Sequence, residues 1–139
     1  MRNEPTQKPI TLVSALILID GQNKILLAER PSGKSMAGLW EFPGGKVEEG
    51  ETPETALCRE IKEELNIMIK EVDLNPLTFA SHTYEMFHLL MPLFICRIWE
   101  GNLHSNEKQK FNWVKIKDLR SYPMPPADEP LVEFIEKHF

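Results

Sequence analysis

Cysteine, basic residues and long apolar runs are all scarce in this chain, and each shortage excludes a class of protein. The 139 residues include only two cysteines, Cys58 and Cys96, which form no CxxC motif, so we expect buried thiols in a reducing cytoplasm instead of a secreted disulfide scaffold. Sixteen Lys and Arg face twenty-one Asp and Glu, and the net charge of −5 argues against general binding to DNA, RNA or anionic lipid. The longest nearly apolar run, 10–19, is about half the length that a bilayer span needs.

The composition that remains is that of a globular protein. Hydrophobic residues make up 42% and charged residues 27%, which is too apolar for a disordered chain. The length suits one compact domain over 1–139, of which residues 1–9 are polar and expected to be flexible. The opening sequence MRNEPTQKPI has no apolar segment resembling a signal peptide, so we expect a cytoplasmic protein.

Apolar patterning and turn residues predict strands before, between and after two helices. Strands are predicted over 10–19, 24–30, 39–42, 77–84, 87–99 and 111–116. The first strand hardly alternates and is therefore expected to be buried on both faces. The turn sequence 20–23 (DGQN) predicts that the first two strands form a hairpin. Residues 118–126 read as an irregular, proline-rich stretch.

Capping residues set the bounds of the first helix. Thr52 is a good N-cap, Pro53 suits the first helical position, and the apolar pattern runs to Leu65. Asn66 then follows at a position where a left-handed conformation is expected. A second helix is predicted over 128–137. Together these elements indicate an α/β fold, with a mixed sheet and helices packed on its faces.

Acidic side chains are concentrated in and before the first helix, with seven of the twenty-one Asp and Glu within 45–67. At about 100° per residue, Glu60, Glu63 and Glu64 lie on one arc that borders the apolar stripe of the helix. Like charges at this spacing repel one another, and a divalent cation such as Mg²⁺ would neutralise them. The alternative is a solvated acidic face.

The segment GKVEEGETPETALCREIKEELNI, 45–67, resembles the Nudix box, G-x5-E-x7-R-E-U-x-E-E-x-G-U, in which U is a bulky aliphatic residue. The matching positions are Gly45, Glu51, Arg59, Glu60, Ile61, Glu63, Glu64 and Ile67. Asn66 replaces the last Gly, and Asn tolerates the same backbone region. Two further segments, GLWEFPGGK at 38–46 and PPADEP at 125–130, resemble the MutT-type subgroup of this family. The resemblance implies the Nudix fold, a mixed β-sheet sandwiched between α-helices.

Within that family, the resemblance implies a set of metal ligands. Glu60, Glu63 and Glu64 would hold one or more Mg²⁺ ions, for which Mn²⁺ can substitute, with the Gly44 carbonyl as a further ligand. Glu107, in the loop SNEKQ, corresponds to an additional metal-binding Glu of MutT-type proteins, although a surface acid is the alternative. The metal is needed because a triphosphate carries about four negative charges, which repel an attacking oxygen.

The same resemblance suggests which residue is the general base and which residues position the catalytic carboxylates. Glu60 is the first choice as general base, and Glu64 and Glu107 remain alternatives because the base differs among Nudix enzymes. Arg59 and Glu51 would fix the catalytic carboxylates, since Arg59 can reach Glu63 one helical turn further on. The alternative for Arg59 is an exposed ion pair with little effect on stability.

Three residues outside the box are candidates for binding substrate. Arg30 resembles a position near the base or sugar pocket, although a surface charge would read the same way. Phe42 follows Trp40 into the PGG loop, and an aromatic ring there either stacks on a purine or belongs to the core. Asp128 stands where MutT-type enzymes place a base-contacting Asn or Asp. An ionised carboxylate can accept from N1–H and N2–H₂ of guanine at once; the alternative is a cap for the last helix.

These resemblances imply a monomeric, Mg²⁺-dependent enzyme that hydrolyses nucleoside triphosphates to monophosphate and pyrophosphate. The first expectation for the substrate is the oxidised guanine nucleotide 8-oxo-dGTP, whose removal protects DNA replication and so serves mutation avoidance and DNA repair. An alternative is another nucleotide, such as a modified pyrimidine triphosphate or a dinucleoside polyphosphate. A different class is a non-catalytic Nudix module that recognises bases, against which the complete set of carboxylates argues.

Overall fold

The computed structural model describes residues 8–33, 35–105 and 109–139, which form seven strands and two α-helices. The strands are β1 Ile10–Leu18, β2 Lys24–Glu29, β3 Trp40–Glu41, β4 Gly44–Lys46, β5 Asn75–Thr83, β6 His88–Cys96 and β7 Phe111–Lys115. The helices are α1 Pro53–Leu65 and α2 Glu129–His138, with 3₁₀ turns over Glu71–Asp73, Ile116–Ser121 and Pro126–Asp128. Every predicted element is present, although the strand predicted over 87–99 ends at Cys96.

The strands form two sheets. The first is mixed, in the order β4-β1-β6-β5, with β1 and β6 parallel and the other pairs antiparallel. The second is antiparallel, in the order β3-β2-β7. The predicted hairpin of the first two strands is wrong, because β4 and β6 occupy both edges of β1. Among the described residues, β1 and β2 meet through a single bridge, between Ile19 and Ile25, before they diverge into different sheets.

The central strands have a hydrophobic core on each face. Leu16 and Leu18 of β1 pack in the cluster that contains the apolar stripe of α1. Ala15 and Ile17, which point the opposite way, pack in the cluster that contains the apolar side of α2. The prediction that the first strand is buried on both faces is confirmed for this half of β1, and α1 and α2 lie on opposite sides of it.

Local hydrogen bonds define α1 where the sequence predicts them. The Thr52 hydroxyl accepts from the Thr55 N–H at 3.1 Å, and Pro53 opens the helix. Asn66 is left-handed, with φ 60° and ψ 30°, and its N–H donates to the Lys62 carbonyl at 3.1 Å. The departure from Gly in the Nudix box therefore leaves the helix end intact.

The start of the described chain is held against the first sheet. The Pro9 carbonyl accepts from the His88 N–H at 2.9 Å, and Lys8 Nζ donates to the Tyr84 carbonyl at 2.8 Å. Backbone pairing with β6 therefore begins just before β1. Residues 1–7 lie outside the described ranges, and the flexibility of residues 1–9 stays a prediction. In the part of the chain that the structure describes, no helix is long and apolar enough to cross a membrane.

Candidate active site

Arg59 is the hub of an acidic edge, which we define as Arg59 with Glu51, Glu60, Glu63 and Glu64. Its Nε and Nη2 donate to the two carboxylate oxygens of Glu51 at 2.7 and 2.9 Å, a bidentate pair. Its Nη1 donates to Glu60 at 2.9 Å and to Glu63 at 3.4 Å. The contact predicted between Arg59 and Glu63 is thus present, and one guanidinium orients three carboxylates. Arg59 is no isolated surface ion pair.

The hydrogen bonds at this hub favour the charged form of Glu51. Donation from Arg59, and from the backbone N–H of Glu48, lowers the pKa of Glu51 to about 2. The same carboxylate raises the pKa of Arg59, with burial opposing. Glu51 therefore keeps its charge throughout the physiological range, and so does the guanidinium that it holds.

Two glycines of β4 allow close approaches, Gly45 to the acidic edge and Gly44 to the neighbouring strand β1. A Cβ added at Gly45 would overlap the carboxyl group of Glu60, so any other residue there would displace that side chain from its present position. A Cβ added at Gly44 would overlap the carbonyl oxygen of Ser14, on the neighbouring strand β1. The first glycine of the Nudix box is thus explained as the seat of a carboxylate on α1.

The donor set of the acidic edge suits a hard divalent cation held only partly by protein. Within 8–33, 35–105 and 109–139, no three acidic, His or Cys side chains converge into a ready-made ligand set. Mg²⁺ does not need one, because it usually keeps several waters and binds one or two carboxylates together with substrate phosphates. Glu60, seated on Gly45, and Glu64 meet that requirement in donor chemistry. Glu107, predicted as a further ligand, lies outside the described residues.

A cavity of about 430 Å³ brings the predicted substrate residues together with a predicted metal ligand. Its lining includes Glu64 from α1, Arg30 from the end of β2, Phe42 after β3, and Asp128 from the 3₁₀ turn before α2. The volume falls in the usual range for small-molecule sites. The structure therefore joins positions that are almost a hundred residues apart in the chain.

Asp128 is a buried group of this cavity, with 4% of its surface exposed. It directly precedes α2 but makes no capping hydrogen bond with its side chain, so the helix-cap alternative is wrong. Its carboxyl group accepts from the backbone N–H of Phe42 instead. Burial, together with the charge of Glu41, raises the pKa of Asp128 to about 7, although Phe42 and Arg30 oppose this. At neutral pH the Asp128 carboxyl group is near half ionisation, and not fully ionised as predicted from the sequence.

Arg30 is fixed in the cavity wall and is not a free surface charge. Its Nη1 donates to both carboxylate oxygens of Glu41, at 3.0 and 3.1 Å, and its Nε donates to the Ser35 carbonyl at 2.7 Å. Burial raises the pKa of Glu41, with Arg30 opposing. Glu41 was not predicted as a cavity residue; the available signal was an acid between two aromatic residues in the segment GLWEFPGGK.

The aromatic residues beside this loop serve mainly in packing. Phe42 is 4% exposed and belongs to the cluster beneath α2, and it forms part of the cavity wall. Trp40 meets Tyr122 edge-on, with ring centroids 5.0 Å apart. Both rings therefore pack in the core, and because Phe42 also lines the cavity, its stacking on a base stays a prediction.

The mixed sheet with helices on its faces and the carboxylates of α1 agree with what the resemblance to the Nudix box implies. Residues 14–134 match the NUDIX domain family. The chain belongs to this family and is a Nudix hydrolase, which acts on pyrophosphate bonds of nucleotides.

The names of its relatives refer to two different substrates, CTP and 8-oxo-dGTP. A CTP pyrophosphohydrolase of Escherichia coli (strain K12) is 41% identical over 128 residues, which cover 91% of this chain and 90% of that protein. An 8-oxo-dGTP diphosphatase of the same organism is 33% identical over 123 residues, covering 87% and 92%. A solved MutT structure, from work on Aliivibrio salmonicida and Vibrio cholerae, has a TM-score of 0.79 at 32% identity, covering 94% of this chain and 99% of the other.

Proposed function

We propose that this Nudix hydrolase converts a nucleoside triphosphate to the monophosphate and pyrophosphate, with 8-oxo-dGTP as its main substrate. The observation that carries the proposal is the cavity whose lining includes both Glu64, from the acidic edge, and the buried Asp128. One ligand can therefore contact a carboxylate of the metal-binding helix and a group able to read a base.

The acidic edge supplies the chemistry in this proposal. Glu60, Glu63 and Glu64 would hold Mg²⁺, which neutralises phosphate charge and lowers the pKa of a bound water. Arg59 keeps Glu60 and Glu63 in place, and Glu51 keeps Arg59 in place. Glu60 accepts the proton of the attacking water, with Glu64 and Glu107 as alternative bases. In this arrangement water attacks the β-phosphorus.

Asp128 reads the base. When ionised, its carboxylate accepts from both N1–H and N2–H₂ of guanine, and adenine offers no such pair of donors. One good bidentate contact is worth ~1–3 kcal/mol of discrimination. Since the pKa of Asp128 is about 7, this contact strengthens as pH rises through neutrality.

A cytosine triphosphate is the second candidate, and the protonation of Asp128 favours it on the acid side. A protonated carboxyl group can donate to N3 of cytosine and accept from its N4–H₂. The relative named CTP pyrophosphohydrolase, at 41% identity, supports the same candidate.

The test is a set of kcat/KM values for 8-oxo-dGTP, dGTP, dCTP, CTP and dATP between pH 6 and 8.5. We expect 8-oxo-dGTP to lead, EDTA to abolish turnover, Mg²⁺ or Mn²⁺ to restore it, and ¹⁸O from water to appear in pyrophosphate. The ratio of the guanine to the cytosine rate should rise through about pH 7. The ionisation of the catalytic base affects both rates equally and cancels from the ratio. The pH dependence of the ratio therefore reports the ionisation of Asp128. A lead for CTP at every pH would assign the enzyme to cytosine nucleotides.

The cellular part of the proposal follows from the substrate. Removal of 8-oxo-dGTP from the cytoplasmic pool before DNA replication would lower the mutation rate, so loss of the gene should raise the frequency of A·T to C·G changes. We also propose a monomer, as the resemblance to MutT-type enzymes implies. Sedimentation at micromolar concentration tests this last point.

A further inference from the structure

Tyr84 lies directly after β5 and lines the same cavity as Asp128 and Arg30. Its ring is tilted against that of Phe87, with centroids 5.2 Å apart, and meets the His82 ring edge-on at 4.6 Å. The ring is half-buried. Tyr84 is therefore held on two sides, which restricts the position of its hydroxyl group.

The Tyr84 hydroxyl group accepts one hydrogen bond from the protein and retains its own proton as a donor. Its oxygen accepts from the backbone N–H of Ala127 at 3.2 Å. Within 8–33, 35–105 and 109–139, Ala127 is its hydrogen-bond partner and no acceptor receives the hydroxyl proton. Burial, with the charges of Asp128 and Glu41, raises the pKa of Tyr84, so the proton stays on the oxygen at neutral pH. The wall of the cavity thus includes a tyrosine whose hydroxyl proton is not used by the described residues.

Ala127 belongs to the same 3₁₀ turn as Asp128, which places the donor next to the group that reads the base. We propose that the Tyr84 hydroxyl is a specificity-determining donor of this cavity, which binds a carbonyl oxygen of the base beside the atoms that Asp128 contacts. The inference rests on the proposed function in so far as the cavity holds the base.

Base chemistry explains what such a donor selects. In guanine the carbonyl O6 adjoins N1–H, and in cytosine the carbonyl O2 adjoins N3. In adenine the corresponding neighbour of N1 is a C–H group, which accepts nothing. A donor beside Asp128 therefore favours bases that carry a carbonyl group over adenine, whichever of the two proposed substrates is correct.

The experiment compares Tyr84→Phe with Tyr122→Phe, its matched control. The chain has two tyrosines, and the Tyr122 hydroxyl accepts from Asn112 at 2.7 Å without lining the cavity. The substrate pairs are dGTP with 6-thio-dGTP and dCTP with 2-thio-dCTP, in which sulfur, a weak acceptor, replaces the carbonyl oxygen. A neutral hydrogen bond corresponds to roughly three- to tenfold in kcat/KM.

We expect Tyr84→Phe to lose that factor with dGTP and dCTP, mainly in KM, and to leave dATP and the thio analogues unchanged. Tyr122→Phe should leave all the ratios unchanged. An equal loss on every nucleotide, dATP included, would reduce Tyr84 to a packing residue. A shifted pH midpoint of the guanine-to-cytosine ratio, with the oxo-to-thio ratio unchanged, would show that Tyr84 acts only through Asp128, and would also overturn the inference.

Equilibrium binding separates this inference from the proposed function. Calorimetry of dGMP and 6-thio-dGMP on wild type and Tyr84→Phe needs no turnover. If the wild-type enzyme hydrolyses no triphosphate but still prefers dGMP over 6-thio-dGMP through Tyr84, the proposed reaction fails and the donor remains. If wild type and variant show the same oxo-to-thio ratio in binding, the donor role is wrong even where turnover occurs.

Discussion

Two neighbouring clusters in this enzyme each consist of one arginine with carboxylates. The pKa of a carboxyl group is lowered in the first cluster and raised in the second. At the acidic edge Arg59 contacts Glu51, Glu60 and Glu63, and the pKa of Glu51 is lowered to about 2. In the cavity Arg30 contacts Glu41, close to Asp128, and the pKa of Asp128 is raised to about 7. Residue types are nearly the same in both.

The difference arises from hydrogen bonds and burial. Glu51 receives two hydrogen bonds from one guanidinium and a third from a backbone N–H, all of which favour its charged form. Asp128 receives one, from an amide, while burial and Glu41 oppose its charge. A nearby arginine therefore does not by itself determine whether a carboxyl group is ionised at neutral pH. The low pKa of Glu51 keeps its pair with Arg59 intact, which suits the positioning of cation ligands, whereas the titration of Asp128 suits base discrimination.

Glu60→Gln should break the acidic edge most severely. It removes one charge and the proposed proton acceptor, so we expect kcat to fall by roughly 10²–10⁴-fold with the fold retained. Steady-state kinetics in Mg²⁺, with circular dichroism, measures both quantities. The control is Glu133→Gln, an exposed partner of Lys137 on α2 that should keep full activity. A Glu60 variant within threefold of wild type would remove this residue from the chemistry.

Gly45→Ala tests the seat of Glu60 without touching any charge. The added Cβ meets the Glu60 carboxyl group, so that side chain must move, and the proposed metal site would be disturbed with it. We expect roughly 10–100-fold lower activity, comparable to the loss of a group that orients a metal ligand. Gly21→Ala is the matched control, since a Cβ there meets no atom within 4 Å. Equal activities of the two variants would contradict the role of Gly45.

Arg59→Lys sharpens the comparison, because it keeps the charge and removes the bidentate geometry. We expect about tenfold weaker activation by Mg²⁺. The pKa of Glu51 should return towards its ordinary value. A lowered carboxyl pKa stabilises the fold above the ordinary value, and this stabilisation is lost as pH falls towards about 2, so the variant should show less acid-dependent loss of Tm. Arg120→Lys, at the exposed pair with Glu136, serves as control.

Asp128→Asn breaks the second cluster, with the smallest effect on rate. Asn keeps one acceptor for guanine, so the guanine-over-adenine preference should fall by roughly tenfold, the value of one contact to a base. The guanine-to-cytosine ratio should become independent of pH. A control, Asp118→Asn on the exposed 3₁₀ turn, should preserve both ratios.

Asp128→Asn should also change stability, and here we expect a gain instead of a loss. A carboxyl pKa raised from 3.8 to about 7 means that the fold binds the proton more tightly than the unfolded chain. The stability contributed by that proton is complete below about pH 4 and is lost as pH rises to about 7. Asp128→Asn should therefore raise Tm relative to wild type more at pH 8 than at pH 5. A Tm difference that is constant over this range would show that Asp128 does not titrate.

Much of the molecule is predictable because its determinants are close together in the chain. The N-cap Thr52, Pro53 and the left-handed Asn66 act within a single helix, and the spacing of Glu60, Glu63 and Glu64 follows from helical geometry. The unalternating strand β1 likewise indicated a core on each face. The hairpin prediction was wrong because a turn decides that the chain reverses, whereas strand partners depend on which edges remain open.

The sequence by itself determined the acidic helix, its ends, its family and the residue types available for metal chemistry, since these depend on neighbours within a few turns. Only the tertiary structure decided that Arg30, Glu41 and Tyr84 share a cavity with Asp128, and that Asp128 titrates near neutrality. The physical reason is that desolvation and the field of nearby charges come from groups distant in the chain, which only packing brings within reach.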